Sequence, residues 1–325
     1  MGRIKMWKSV TVIIAMILLL SGCNGQPNAE KETTPKSRLE SIPITAVKQL
    51  PASDRLPPQL HSTEFQLPVP MDSAINTAGA EDSAFVTPDG NSIYFWFTPD
   101  GTIPAEKQLI DGVTGIYLSS KVGGQWQPTE RVLLQKSDDV SLDGCVLVQG
   151  NQMWFCSARV GNYRGVDMWT AEYKDGKWTN WQNAGKLLNQ DYEIGEMHIT
   201  ADGNEIYFHS GRAGGKGGYD IWVTRKVNNE WQTPENIEAI NTADTEGWPF
   251  VTQDGKELWY TGWYLGSPAI FRSKKVNGQW SIPELIISQF AAEPSLDNDS
   301  NLYFTHHFYW DGKQLDADIY VAYRK

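Results

Sequence analysis

Positive charge is in short supply in this chain. Its 325 residues carry 28 Lys and Arg against 39 Asp and Glu, a formal charge of −11. No basic stripe is available to neutralise phosphates, so nucleic acid is not an expected partner. No Gly-Xaa-Ser-Xaa-Gly elbow and no His-Glu-Xaa-Xaa-His pair occurs, which removes two common hydrolase signatures. The Gly run at residues 214 to 218 precedes no helix and does not read as a phosphate cradle. Residues 297 to 301 alternate oxygen-bearing side chains but lack the later Gly and distal Glu of a calcium loop, and read as a plain turn. No metal and no cofactor is expected. The apolar run at residues 10 to 20 is too short for a stable membrane span.

That run does fit the core of a secretory leader, preceded as it is by Arg3, Lys5 and Lys8. It ends in Leu20-Ser21-Gly22-Cys23, which resembles the bacterial lipobox, in which the Cys becomes the lipidated first residue of the mature chain. The resemblance implies a membrane-anchored lipoprotein outside the cytoplasm: outer membrane in a diderm, where Asn24 after the Cys leans that way, or cell surface in a monoderm. Losing residues 1 to 22 takes the formal charge to −14. Residues 23 to 60 are rich in Pro, Ser, Thr, Glu and Lys without a sustained period, and are expected to be a disordered tether.

Residues 61 to 325 form the folded part, and they repeat. In residues 192 to 240 short apolar runs rich in aromatic and β-branched side chains alternate, with Ala201-Asp202-Gly203-Asn204 between the first two. This is strand chemistry, with a Gly where a tight hairpin needs positive φ. The unit reads as a four-stranded antiparallel meander. Its markers Tyr94, Trp154, Tyr207, Trp259 and Tyr303 fall roughly 45 to 60 residues apart, the period of propeller blades. The fold class expected is all-β, a five-bladed β-propeller. Its fifth copy ends without a fourth strand, while Phe65-Gln66-Leu67-Pro68 and Ala74-Ile75-Asn76-Thr77-Ala78 repeat Trp231-Gln232-Thr233-Pro234 and Ala239-Ile240-Asn241-Thr242-Ala243. The N-terminal segment therefore supplies the outer strand of the last blade and closes the ring. Most of the 14 Trp and 13 Tyr are expected to be blade packing. Cys145 and Cys156 flank the second hairpin and pair when residues are counted outward from its turn. A cross-strand disulfide and two buried free thiols both fit, the thiols being the expectation.

Thr87-Pro88-Asp89-Gly90 and Gly217-Gly218-Tyr219-Asp220-Ile221-Trp222 resemble the WD40-like repeats of TolB-type propellers, over residues 62 to 325. The resemblance implies the fold and a binding or assembly role, but TolB itself has six blades and an additional α/β domain, so its own partnership is not implied. A monomer acting on an envelope glycan or envelope protein is the expectation.

In such a meander one face receives the long loops, and the chemistry gathers there. Acids stand at the start of each copy: Glu81 and Asp82, Asp143, Glu193 and Glu196, Glu246, and Glu293. Innermost strands would bring them round the channel mouth, where carboxylates beside aromatic rings suit polyhydroxylated ligands. Loops on the same face add Arg159, Arg212, Trp263, Tyr264, His306 and His307. An acid in every copy also reads as a structural repeat capping backbone amides. Arg159 precedes Asp167, and Arg212 precedes Asp220, by eight residues each, which reads as a recurring scaffold ion pair. His198, Trp248, Trp263, His306, His307 and Trp310 break the repeat and are the better ligand candidates. The second functional class is hydrolytic: five-bladed propellers are also the fold of arabinanase-like glycoside hydrolases, and Asp143, Glu196 and Glu293 are the candidate acid and base.

Overall fold

The computed structural model describes residues 37–136 and 139–325. The leader, Cys23 and the first part of the expected tether lie outside these described residues. Five antiparallel sheets follow one another along the chain as the blades of a five-bladed β-propeller. Their innermost strands are Ala80–Val86, Ser141–Gln149, Met197–Ile199, Gly247–Val251 and Ala291–Leu296.

The turns that join the first two strands explain the sequence signature. In three blades a Thr hydroxyl donates to the Asp two residues on, Thr87 to Asp89 at 2.7 Å, Thr200 to Asp202 at 2.6 Å and Thr252 to Asp254 at 2.7 Å. The following Gly, at φ near +67°, donates its N–H back to the Thr carbonyl at 2.8 Å. A side chain at that φ would be strained, and a Gly is not. In the last blade Asp297 caps its own turn, accepting from the Asn301 N–H at 2.9 Å.

The five aromatic markers are structurally equivalent. Tyr94, Trp154, Tyr207, Trp259 and Tyr303 stand opposite Phe85, Leu147, His198, Phe250 and Ser295 of the innermost strands. All five markers are buried, each stabilising the packing by about 1.5–3 kcal/mol or more. Two residues before that position the innermost strand is bulged in four blades. The bulge residues Ser83, Cys145, Trp248 and Glu293 have φ between +49° and +59°, and Glu196 holds the matching place in blade three. A bulge inserts one residue and re-aims the chain beside it. Here the freed N–H groups reach the preceding blade: Ser83 donates to Glu293 at 2.7 Å, Glu293 to Thr261 Oγ1 at 2.8 Å and Trp248 to His209 Nδ1 at 3.4 Å.

Cys145 and Cys156 form a disulfide, with an S–S distance of 2.08 Å; they are not free thiols. Val148 stands opposite Met153 as counted, but the bulge sets Gly144, not Cys145, opposite Cys156.

The ring closes as the repeats require, Val69 and Pro70 pairing with Val321 and Tyr320 and Phe65 bridging to Arg324. Residues 37 to 60, assigned by composition to the tether, are packed on the propeller. Arg38 is buried, donates to the Ile75 and Ala74 carbonyls at 2.9 and 3.1 Å, and lies 3.5 Å from Glu81. Lys48 pairs with Asp316 and Asp318 of blade five. Asp54 meets His306 at 2.8 Å, and the Arg55 guanidinium sits 3.6 Å from the Trp310 ring centre. Gln59–Leu60 then adds to the outer strand of blade four. The segment thus runs as a strap from blade one over blade five to blade four before the chain doubles back. Among the described residues no helix is long and apolar enough to cross a membrane.

Candidate functional site

Two adjoining cavities, of about 450 and about 220 Å³, open at the channel mouth on the long-loop face. They share Asp82, Tyr219, Trp248 and Glu293. Trp263, Phe290, His307 and Tyr309 wall the larger; Trp96, Glu196, His209 and Arg164 belong to the smaller. The bulge ring is the reason these side chains meet. It turns Ser83, Cys145, Glu196, Trp248 and Glu293 from five blades onto the axis, where they line the narrow passage beneath.

Three carboxyl groups from three blades converge here: Asp82, Glu196 and Glu293. The Ser83 N–H donates to both Asp82 Oδ1, at 2.9 Å, and Glu293 Oε2, at 2.7 Å; the Thr305 hydroxyl adds a bond to the same Glu293 oxygen at 3.2 Å. The Asp82 carboxyl lies beside that of Glu293, close enough to disfavour its charged form. Burial, then the charges of Asp82 and Glu196, raise Glu293 well above the usual carboxylate range. Burial and the Asp82 charge push Glu196 up to about 8, against a hydrogen bond from Trp248 that works the other way. The histidines stay neutral at pH 7: burial pushes His209 down to about 4, helped by the charge of Arg164, and lowers His307. At neutral pH Glu196 and Glu293 therefore hold protons and can both donate and accept hydrogen bonds.

The acids at the start of each blade fall into two groups. Glu81 and Glu246 are completely buried caps, each accepting from the N–H and hydroxyl of the Thr four residues earlier, Thr77 at 2.9 and 2.5 Å and Thr242 at 2.8 and 2.6 Å. Asp143 lines the smaller cavity but is held by Arg159 at 2.6 Å, Ser157 at 2.7 Å and Ser141 at 2.9 Å. Glu196 and Glu293, at the bulge position, and Asp82, one residue before it, line the pocket without an ion-pair partner among the described residues. Glu193 is exposed.

The expected pairs Arg159–Asp167 and Arg212–Asp220 are absent. Arg159 turns to Asp143, and Arg212 stacks over Trp222 and Tyr192, 5.1 and 5.9 Å from their ring centres. Asp167 and Asp220 instead cap loop amides, Asp167 those of Tyr163 and Arg164, Asp220 those of Lys216 and Gly217. The recurrence in sequence was real, but it marks a carboxylate-capped loop. The glycine run belongs to that loop: a Cβ on Gly217 would lie 1.9 Å from the Asp244 carbonyl oxygen.

Of the other sequence candidates, Trp248, Trp263 and His307 line the pocket. His306 is fully buried against Asp54, Tyr264 is exposed beside His61, and neither lines it. His198 lies below the passage, its ring 4.4 Å from that of Phe250, and faces the cavity of about 810 Å³ on the opposite side of the ring. Asp82, expected at the channel mouth with the other blade-start acids, is there. His209, Tyr219 and Tyr309 belong to the site without having been singled out, because alternation alone does not reveal a bulge.

No protein-family model and no curated protein sequence matches the chain. Similar solved structures include TolB from Acinetobacter baumannii, at 14% identity and a TM-score of 0.45, over 77% of this chain and 56% of that one. Others are xylan β-1,4-xylosidase from Bacillus halodurans, at 12% and 0.46 over 75% of this chain and 52% of that one, and α-L-arabinofuranosidase from Lactobacillus brevis, at 12% and 0.45 over 77% and 91%. The chain spans little more than half the length of the first two. Likenesses this distant carry nothing about activity.

Proposed function

We propose that the protein is an extracytoplasmic binding module, anchored through lipid on Cys23, whose axial pocket takes the polyhydroxylated end of an envelope glycan. The observation that carries this reading is the convergence of Asp82, Glu196 and Glu293 with Trp248, Trp263, Tyr219 and Tyr309 around two adjoining open cavities. Aromatic faces cover the apolar faces of sugar rings, and carboxyls that hold protons at neutral pH match hydroxyl groups, which also donate and accept. The Cys145–Cys156 bridge supports placement in an oxidising compartment.

One observation favours glycoside hydrolysis as the second reading: Glu196 keeps its proton to about pH 8, as a general acid must. In that reading Glu196 protonates the leaving oxygen and the Asp82–Glu293 pair supplies the carboxylate. Asp143, tied to Arg159, drops out of the catalytic set.

A panel of oligosaccharides followed for both binding and product mass separates the two. Binding without cleavage is expected, weakened at least tenfold by Trp263→Ala or His307→Ala, about 1.4 kcal/mol. Binding that survives both substitutions would remove the pocket from consideration. Products lost on Glu196→Gln would make the protein a glycosidase, and silence throughout would leave an envelope protein as the partner.

A further inference from the structure

Three buried acids elsewhere in this fold are given a cation of their own, while Glu246, Asp167 and Asp220 are capped by backbone and side-chain donors. Glu81 has Arg38 at 3.5 Å, Asp143 has Arg159 at 2.6 Å, and Asp316 has Lys48 at 3.2 Å. Asp82, Glu196 and Glu293 have no ion-pair partner among the described residues. The one guanidinium lining the two cavities, Arg164, is exposed and donates to the Asn189 carbonyl at 3.2 Å. Three carboxyls thus meet without an ion pair, and the one cation at the cavity wall is turned to a backbone carbonyl.

The walls fit a particular kind of positive charge. Trp248, Trp263, Tyr219 and Tyr309 present aromatic rings, whose negative faces attract ammonium groups. Among the described residues no three His, Cys, Asp or Glu side chains are arranged to hold a metal ion; the space suits a larger, organic cation. His307, 9% exposed, lines the cavity with its Nδ1 lacking any hydrogen-bond partner. We propose that the pocket binds a ligand bearing an ammonium group, such as an amino sugar or an alkylammonium headgroup, seated between the three carboxyls and the aromatic walls. The proposal rests on the axial pocket being the ligand site.

Proton balance follows from the site. Without ligand Glu196 and Glu293 hold protons at neutral pH, and a bound cation favours their charged forms, so binding releases protons to solvent. For a cation that does not titrate, affinity rises with pH until Glu196 and Glu293 are ionised. Of the other groups at the site, His209, His307 and Tyr219 stay neutral through that range, and the Arg164 guanidinium lines the smaller cavity.

The test uses choline against its neutral isostere 3,3-dimethylbutanol, and glucosamine against glucose, added to the full protein while tryptophan fluorescence is read. Either cation should bind at least tenfold more tightly than its neutral counterpart. Choline should bind more tightly at about pH 8.5 than at about pH 6. Both effects should fall away in Glu196→Gln or Glu293→Gln with thermal unfolding still cooperative. Which cation binds better tells an amino sugar from an alkylammonium headgroup. Equal affinity for the neutral partners, or cation binding indifferent to both substitutions, overturns the proposal. If neutral oligosaccharides bind while the ammonium compounds neither bind nor compete, this inference alone fails. If nothing of either charge acts up to about 100 mM, the pocket reading fails with it.

Discussion

Glu196 is held protonated by its surroundings, and that has a cost at higher pH. Its carboxyl titrates near 4.5 when the chain is unfolded and near 8 when folded. The folded state therefore binds more protons across that window, and stability present below about 4.5 is lost as pH rises through about 8. Glu81, pushed up to about 8, and Asp318, pushed up to about 7, act in the same direction. Glu196→Gln, which cannot ionise, should be roughly 1–2 kcal/mol more stable than the parent at pH 8 and nearly equal at pH 5, after discounting for the carboxyl's contact with solvent. Chemical unfolding at the two pH values measures this; an equal difference at both would show that the carboxyl is not protonated in the fold. At this scale the sequence was only half legible. An acid at the start of each blade was visible, yet Glu246 and Glu293 look alike in the repeat and do unlike work. The distinction depends on one bulged residue per strand, and a shift of one residue exchanges the faces of a strand.

Among the elements, the strap was the least legible. Its anchors Arg38, Lys48, Asp54 and Arg55 are isolated charged residues in a polar, Pro-rich stretch, and no periodicity announces them. Their counterparts in the propeller did leave a trace, since His306 and Trp310 break the repeat. The same signal drew attention to Trp248, Trp263 and His307, so departures from the repeat had two causes: a pocket to line and a strap to receive. Arg38→Ala removes hydrogen bonds to two carbonyls, the ion pair with Glu81 and contact with the rings of Phe95 and Phe97, 5.4 and 5.2 Å away. It should cost about 3 kcal/mol, measured by thermal or denaturant unfolding. A change within experimental error would mean that the strap is detached in solution.

For the molecule as a whole, blade number, strand order and ring closure were legible because five copies of one hairpin repeat the same buried aromatic position and three of them the same turn chemistry. What the copies do not share decides the rest: which cavity forms, and how the N-terminal segment lies across it. That lie has a mechanical consequence. A pull on the N-terminal end meets the Arg38, Lys48 and Asp54 anchors one after another, and the short ladder at Gln59–Leu60 after them. Only then does load reach Val69 and Pro70, whose pairing shuts the ring. Extension of single molecules from that end should therefore show several small yields ahead of the main rupture, whereas a single rupture would mean that the anchors bear no load. A chain built in this way gives slack in instalments, and the propeller stays whole while its leash is tugged.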